Sequence, residues 1–356
     1  MDIAIGYRWS PAAAGYHLER ALEALGHSVT YVGLPSSHRA GYDNRVPVTE
    51  VLGSLPVQPE LFLWVDPIGR YFPPGIEDLP IPTACYLVDV HIGSWREQAA
   101  RFFDGVFVAQ KDYVERYRRA VGHDQVYWLP LAAAPDLHQR LDLPRTYDVG
   151  FVGNLSLAHR RTPRARRLRL IAARFVTNDF NRAYSPAEVG AVYSRSRIVF
   201  NTSIAGDVNM RVFEGTACGA LLLTDSVGNG LEALFDIGRE IVVYENDSDL
   251  LDKVVYYLEH EDERVQIAQA GYRRTQEEHT YPHRMQQMLD VVQSASFERL
   301  APMRRAGPAS RWAARREVYT HLHMLDALLD EARAAGHHPV QRLWDVLPCL
   351  VRRLLI

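Results

Sequence analysis

Residues 193–225 carry the densest group of side chains suited to binding a phosphorylated ligand. The pattern predicts a strand, a loop, a helix over residues 209–218 and then a second strand. Asn209 stands at the predicted helix start and is a residue type that caps helices. The unpaired backbone N–H groups and the partial positive charge of a helix start both suit an anion. The sequence therefore predicts a diphosphate site at this helix.

Arg211 and Glu214 are three residues apart, so they share one face of the same predicted helix. A guanidinium at this place can bind phosphate oxygens with two parallel hydrogen bonds. A carboxylate one turn later can accept hydrogen bonds from both hydroxyls of a ribose, each contributing about 1.5–3 kcal/mol. The alternative is an exposed Arg–Glu ion pair that contributes less than about 1 kcal/mol.

Gly153 and Asn154 follow a predicted strand at residues 147–152. A glycine there allows the backbone to approach a phosphate closely, although an ordinary turn would also explain it. The next segment holds seven arginines and no acidic residue between residues 159 and 174. Arg160 and Arg161 come first and are predicted to neutralise a departing diphosphate. The other arginines are predicted to form a solvated helix face, since no interleaved aromatic residues indicate nucleic-acid binding.

Asp89 and His91 are the candidates for chemistry in the first half of the chain, just after a predicted strand at residues 83–88. If the strand continues, alternation places both side chains on one side. Asp89 would then serve as a base toward an acceptor hydroxyl, and His91 would position the ligand. Alternatively, Asp89 caps a helix that starts near Ser94. Asp66, at the end of another strand, is a weaker candidate.

Short, almost wholly apolar strands alternate with amphipathic helices along most of the chain, which indicates parallel sheets covered on both faces. A polar segment at residues 137–145 separates two such sets and is predicted to be a linker. We expect two doubly wound, Rossmann-like domains that face a cleft, with ligands outside the carboxyl ends of the strands. The predicted divisions are residues 1–142, residues 143–295 and a helical extension at residues 296–356.

The predicted strands are short, and each is bounded by polar or glycine residues. They lie at residues 2–8, 28–34, 61–65, 83–88, 106–109 and 126–131 in the first set, and at residues 147–152, 197–201, 220–224 and 240–244 in the second.

The composition excludes several classes of protein. The formal net charge of −3 gives no global attraction for nucleic acid or anionic lipid. The chain lacks an uninterrupted apolar run long enough for a membrane span and lacks the start of a signal peptide, so we expect a cytoplasmic protein. The arginine-rich segment at residues 298–316 and the final predicted helix at residues 340–356 either pack on the body or form a peripheral contact with a partner or membrane.

Several pieces in the same order resemble the CgeB-like (spore maturation type) glycosyltransferases, relatives of the retaining enzymes with the GT-B fold. The resemblance covers residues 147–289, while the first half of the chain is similar only in its alternation. The pieces are Phe151-Val-Gly-Asn154, Arg160-Arg161, Asn209-Met-Arg-Val-Phe-Glu214, Ala217-Cys-Gly-Ala220 with the Leu-Leu-Thr-Asp that follows, and His279-Thr-Tyr281 with Arg284.

The resemblance implies transfer of a sugar from a nucleoside diphosphate sugar, with Glu214 on the donor ribose and the acceptor mainly in the first domain. It implies retention of the anomeric configuration and no obligatory metal ion or cofactor. In the related retaining enzymes an acidic residue eight positions before the ribose-binding glutamate contacts the sugar. Here Gly206 holds that position and Asp207 follows, so Asp207 becomes the candidate. The alternatives are a nucleotide-sugar epimerase on the same fold and a non-catalytic scaffold that binds the nucleotide sugar.

Overall fold

The structure of the chain, a computed structural model, describes residues 1–66, 69–153, 162–334 and 336. The chain divides into two compact units. Among the described residues, the first contains residues 1–129 together with the chain from Met285 to Ala334, and the second contains residues 130–284. These divisions differ from the predicted ones at residues 142 and 295. The segment after residue 130 joins the second unit because Ala133 bonds through its backbone to His279 and Tyr281.

The first unit contains a parallel sheet with, in the described residues, six strands in the order β2-β1-β3-β4-β5-β6. The strands are β1 (Asp2–Gly6), β2 (Ser28–Tyr31), β3 (Leu61–Val65), β4 (Thr83–Leu87), β5 (Gly105–Val108) and β6 (Val126–Trp128). Every residue of β3 and β4 is buried, which explains their continuous apolar sequences. The order reverses at β1, so the crevice that binds ligands in such sheets lies where β1 and β3 end.

The second unit contains a smaller parallel sheet, whose described strands follow the order β10-β9-β8-β7. They are β7 (Tyr147–Gly150), β8 (Ser196–Phe200), β9 (Leu221–Asp225) and β10 (Val242–Tyr244). Val149 pairs with Ile198 in β8 and also forms a parallel bridge with Thr177. The chain after β7 therefore first pairs with one side of β7, at Thr177. It then crosses over and forms β8 on the other side. This reversal places a second ligand crevice at the ends of β7 and β8.

Helices cover the sheets and are numbered here along the chain. They are α1 (Ala14–Ala24), α2 (Val48–Gly53), α3 (Trp95–Ala100), α4 (Val114–Val121), α5 (Pro163–Ala172), α6 (Pro186–Ser194), α7 (Met210–Ala217), α8 (Leu231–Leu234), α9 (Asp247–Glu259), α10 (Glu261–Glu278), α11 (Tyr281–Val292), α12 (Pro302–Arg305), α13 (Pro308–His321) and α14 (Leu325–Ala334). The predicted two-sheet α/β fold class is thus confirmed.

The last described helices belong to the core of the first unit. Val318 and Tyr319 of α13 and Leu328 of α14 are fully buried in the same cluster as Trp64 of β3. Helices α13 and α14 are separated at His323, which adopts a left-handed backbone conformation with φ of 54°.

Arginines of this region make ion pairs inside the first unit. Arg304 pairs with the buried Asp104, and Arg315 pairs with the buried Glu77. Both pairs fit the packing interpretation of residues 298–316. The final predicted helix at residues 340–356 lies outside the described residues, so the peripheral membrane contact stays a prediction. No helix within the described ranges is long and apolar enough to cross a bilayer.

Candidate functional site

Hydrogen-bonding groups of the backbone and of side chains lie together where β7, β8 and β9 of the second unit end. Val152 and Gly153 follow β7, Asn201 follows β8, and Asp225 is the last residue of β9. The strands are parallel and adjacent, so these residues share one edge of the sheet. Helix α7 begins beyond the loop that follows β8, and Asn209 caps it by accepting a hydrogen bond from the Arg211 N–H at 3.1 Å. The predicted helix cap is confirmed.

Arg211 joins the ends of β7 and β8. Its Nε and one terminal nitrogen donate to the Val152 carbonyl at 3.0 and 2.9 Å, and its other terminal nitrogen donates to Asn201 Oδ1 at 2.7 Å. The guanidinium carbon also lies 4.3 Å from the ring centroid of Phe151. A guanidinium has five N–H groups, so these bonds fix its position and leave N–H groups for a ligand.

Gly153 lies directly beside this guanidinium. A Cβ atom at Gly153 would lie 2.7 Å from a terminal nitrogen of Arg211 and 2.7 Å from the Phe151 ring. Any larger residue would therefore displace the arginine from the strand end. In the structure the backbone at Gly153 lies close to the Arg211 guanidinium. This contact places a fixed positive charge at the glycine turn.

Arg164 is a second cation at the same edge, and the sequence analysis did not single it out. It lies in the first turn of α5, and its terminal nitrogen is 3.4 Å from the Thr202 carbonyl. Its Nε is buried and has no hydrogen-bond partner among the described residues. Burial lowers the pKa of the guanidinium, and the neighbouring charge of Arg211 lowers it further. The carboxylates of Asp207 and Asp225 act in the opposite direction on Arg164. Two neighbouring arginines with N–H groups left to donate suit an anion.

The signal for Arg164 was present in the sequence. Thr162 and Pro163 form a cap followed by proline, which marks a helix start. In the structure Thr162 caps α5 by accepting from the Ala165 N–H, and Pro163 is the first helical residue. The sequence analysis chose Arg160 and Arg161 because they come first in the arginine-rich segment, whereas Arg164 is the arginine in the first turn of α5. Asn154, Arg160 and Arg161 themselves lie outside the described residues.

Glu214 lies on the face of α7 that carries Arg211, and its side chain is 15% exposed. Its Oε1 is 3.6 Å from Nε2 of His138, whose side chain is only 3% exposed. Nδ1 of His138 accepts a hydrogen bond from the Ala134 N–H at 3.0 Å. In the neutral imidazole the proton is therefore on Nε2, which faces the carboxylate. His138 was missed because it stands in the predicted linker.

The loop between β8 and α7 is shaped by two aspartates. Oδ1 of Asp207 accepts hydrogen bonds from the N–H groups of Ile204 and Ala205 at 2.8 and 3.1 Å. Asp225 accepts from both the N–H and the hydroxyl of Ser203. Asp207 is 7% exposed, and its predicted contact with the sugar stays a prediction. Gly206 precedes it in a left-handed conformation with φ of 77°, so the loop turns sharply at that place.

Asp66 organises the corresponding edge of the first unit. Its Oδ2 accepts from the N–H groups of Val88 and Asp89 at 3.3 and 3.2 Å and from Nε of Arg96 at 2.5 Å. Oδ1 of Asp66 is buried and has no hydrogen-bond partner in the described part of the chain. The aspartate that ranked third in the sequence analysis thus holds the loop that follows β4.

The loop after β4 does not continue the strand. The strand ends at Leu87, and the Ile92 N–H donates to the Asp89 carbonyl at 2.9 Å, which closes a turn. The alternation argument that placed Asp89 and His91 on one side therefore does not apply, because the bonds to Asp66 bend the backbone. Both side chains are half-buried. Nδ1 of His91 is buried without a hydrogen-bond partner among the described residues.

Metal binding has no support in the described residues, where no group of three or more histidine, cysteine, aspartate or glutamate side chains is placed to hold an ion. The absence of an obligatory metal or other cofactor stays a prediction, because no observation tests it.

Comparison with known proteins places this site in context. Residues 151–290 match the family described as glycosyl transferase-like. This match contains Gly153, Arg164, Arg211 and Glu214. No curated protein sequence was found to match the chain. The match does not identify the CgeB-like group, so membership of that group stays a prediction.

Solved structures with the same fold cover most of the chain. A glycosyltransferase from Rickettsia africae aligns with a TM-score of 0.58 at 12% identity, over 81% of this chain and 97% of its own. Anabaena HepE in complex with UDP aligns with a TM-score of 0.56 at 13% identity, over 82% and 99%. A putative UDP-N-acetylglucosamine 2-epimerase from Listeria monocytogenes gives 0.52 at 11%, over 82% and 96%. The chain therefore has the GT-B glycosyltransferase fold.

Proposed function

We propose that the protein is a glycosyltransferase that moves a sugar from a nucleoside diphosphate sugar to an acceptor nucleophile. The observation that carries the proposal is the juxtaposition of Arg211, Arg164 and the start of α7 at the β7–β8 crevice, with Glu214 one turn along the same helix. The match of residues 151–290 to glycosyl transferase-like proteins supports it.

The diphosphate is assigned to the two arginines and the first N–H groups of α7. Arg211 is already oriented by Val152 and Asn201, so binding a phosphate orders little more of the side chain. Arg164 gains hydrogen bonds that it lacks among the described residues. Arg160, Arg161 and the Gly153-Asn154 turn remain proposed contributors to the same subsite. Positive charge here stabilises the diphosphate as it leaves, which is the largest contribution expected for such a reaction.

The ribose is assigned to Glu214. Two hydroxyls of a ribose match the two oxygens of a carboxylate, and Nε2 of His138 faces Oε1 of that carboxylate. Asp207 is proposed to act through the loop at Ile204 and Ala205 that borders the sugar, since its Oδ1 holds both N–H groups. This assignment keeps Asp207 in the donor site as a residue that positions the loop.

The acceptor is assigned to the first unit, with Asp89 as the base and His91 as a positioning residue. In the reaction the bond between the anomeric carbon and the diphosphate oxygen breaks, and a bond from the acceptor oxygen to that carbon forms. The acceptor proton passes to Asp89, and the negative charge leaves with the nucleoside diphosphate. We propose that this occurs without a metal ion and with retention of configuration, so the acceptor attacks the anomeric carbon on the same face from which the diphosphate leaves.

Uridine is the first base to test, because the similarly folded HepE structure contains UDP. An epimerase remains the second candidate, because the Listeria protein of that putative activity shares the fold. An epimerase would convert a UDP-sugar in the absence of any acceptor, whereas a glycosyltransferase requires the acceptor or slowly hydrolyses the donor.

The decisive experiment measures thermal unfolding with UDP, GDP, ADP and TDP and with their common sugars. A ligand at 100 times its Kd stabilises the folded state by about 2.7 kcal/mol. We expect one nucleotide to raise the unfolding temperature of the wild type but not of Glu214→Ala. Glu232→Ala is the matched control, because Glu232 is exposed in the same unit. A chain that responds to none of the nucleotides contradicts the donor assignment.

Transfer and binding are then separated in the presence of the identified donor. Asp89→Asn is expected to lower kcat by about 10²–10⁴-fold, the usual contribution of a general base, with unchanged nucleotide binding. EDTA is expected to leave the rate unchanged. Nucleotide binding without transfer, hydrolysis or epimerisation would support the non-catalytic scaffold instead.

A further inference from the structure

A polar pocket of about 110 Å³ lies in the second unit near the places where its strands begin. Arg145 in this pocket donates to the carbonyls of Tyr193 and Ser196, which flank the start of β8, and to the carbonyl of Gly219, just before β9. The candidate donor site lies where the same parallel strands end. The pocket is therefore on the opposite edge of the sheet.

Four arginines line this pocket, namely Arg140, Arg145, Arg197 and Arg264. Arg197 pairs with Asp148 at 2.7 Å, and Arg264 pairs with Glu261 at 2.7 Å. Glu261 is 73% exposed, so water screens much of its charge. Arg145 bonds to carbonyl groups, and Arg140 makes no ion pair within the described residues. Counting these six side chains, four positive and two negative charges leave an excess of two positive charges.

The side chain of Arg140 lies against the backbone at the end of α7, and this contact places it at the pocket. Gly219 follows that helix in a left-handed conformation with φ of 69°, and a Cβ atom there would lie 2.9 Å from Cδ of Arg140. The guanidinium carbon of Arg140 lies 5.8 Å from the Tyr272 ring centroid, and the side chain is exposed. Arg140 is thus held over the pocket while its N–H groups remain available.

The electrostatics of Arg145 agree with a surplus of positive charge. Burial lowers the pKa of its guanidinium, and the charges of Arg140 and Arg264 lower it further. An anion in the pocket would offset the cost of burying the Arg145 guanidinium and its repulsion from Arg140 and Arg264. It supplies both negative charge and hydrogen-bond acceptors.

We propose that this pocket binds a phosphate dianion, either as free orthophosphate or as the phosphate group of a small metabolite. The cavity holds one phosphate group, and the surplus of two charges matches a dianion. Helix α7 has eight residues and is about 12 Å long, with the donor site at its start and this pocket at its end. One anion cannot occupy both places, and the proposal does not depend on the proposed function.

The experiment measures thermal unfolding of the full chain during titration with orthophosphate and, separately, with glycerol 3-phosphate, at constant ionic strength. We expect a saturable rise in unfolding temperature for the wild type. The rise becomes weaker in Arg140→Gln and disappears in Arg140→Glu, which reverses the charge at an exposed position. The control Arg174→Gln, also exposed in the second unit, keeps the full rise.

A donor-site variant, Arg164→Gln, separates the two anion sites and is expected to keep the response to orthophosphate. A response that survives in Arg140→Glu but vanishes in Arg164→Gln assigns phosphate to the donor site and overturns the proposal. A wild type without a saturable response also overturns it. A larger response to glycerol 3-phosphate than to orthophosphate identifies a phosphorylated metabolite as the ligand, and the reverse identifies the free ion.

Discussion

Nε2 of His138 lies 3.6 Å from Oε1 of Glu214, and the other ring nitrogen of His138 accepts the Ala134 N–H. The histidine therefore connects the backbone of one segment to the carboxylate that we assign to the ribose. Because Nδ1 accepts this hydrogen bond, Nε2 is the nitrogen that faces the carboxylate. This contact places an imidazole nitrogen beside the half-buried carboxylate before a ligand binds.

Replacement of His138 tests this connection. Asn at position 138 can still accept from Ala134 but does not reach Glu214, whereas Gln can reach Glu214. We expect His138→Asn to weaken nucleotide binding by about 1 kcal/mol, or about fivefold, and His138→Gln to weaken it less. Titration calorimetry with the identified nucleotide measures both. Equal losses in the two variants would mean that the contact with Glu214 contributes nothing.

Arg164 offers a prediction that distinguishes phosphate binding from folding. Removing its charge relieves the cost of burying the guanidinium and the repulsion from Arg211, so Arg164→Gln should leave the stability of the free protein unchanged or higher. The same variant should weaken nucleoside diphosphate binding by about 1.5–3 kcal/mol, the usual contribution of a hydrogen bond to a charged group. The affinity for the nucleoside without phosphates should not change. If the nucleoside loses affinity equally, Arg164 does not contact the diphosphate.

His279 predicts how stability depends on pH. Burial lowers its pKa from the ordinary 6.5 to about 4, and Nε2 bonds to the Leu234 carbonyl while Nδ1 faces Arg284. Between pH 6.5 and pH 4 the unfolded chain binds a proton that the folded chain does not. Stability is therefore full above pH 6.5 and falls as the pH decreases, by about 3 kcal/mol at pH 4.

Urea unfolding between pH 7 and pH 4.5 measures this dependence. His279→Gln should be less stable at pH 7, because it loses the ring contact with Phe235, but its stability should fall less with acid. Parallel curves for the two proteins would contradict the prediction.

The buried pair of Arg304 and Asp104 predicts a large loss of stability on removal of one partner. Asp104 is fully buried and also accepts from the N–H groups of Thr83 and Ala301. Arg304→Met leaves the Asp104 carboxylate without a cation. For buried pairs such a change lowers the free energy of unfolding by about 3–5 kcal/mol. Arg305→Met, at the exposed neighbouring position, should change stability by less than about 0.5 kcal/mol. A similar small effect in both variants would show that Asp104 does not need the arginine.

Strands β3 and β4 were predictable because they are buried along their whole length and almost wholly apolar. Strand β3 matches its predicted bounds at residues 61–65, and most others differ by a few residues at one end. Helix α6 was not predicted, although Ser185 and Glu188 form a capping box at its start. Its apolar residues lie on several faces, and this arrangement weakens the helical periodicity.

The candidate site was predictable only where its residues are close in sequence. Asn209, Arg211 and Glu214 lie on one helix, so their spacing alone places them together. His138 and Arg164 are brought to this site by the tertiary fold. No local sequence pattern predicts that they lie near Arg211 and Glu214. Asp66 was undervalued for the same reason, since its partners Val88, Asp89 and Arg96 come from a later loop and helix.

The first unit is discontinuous in sequence, since Met303, Val318 and Leu328 complete a core that begins with Ala4. When only residues 1–129 have emerged from the ribosome, Arg304, which pairs with Asp104, has therefore not yet been synthesised. The helices that cover Trp64 and Phe72 are also still missing. The second unit, made of residues 130–284 alone, can fold as soon as it emerges. The order of folding during synthesis is thus expected to be the reverse of the order of the sheets along the chain.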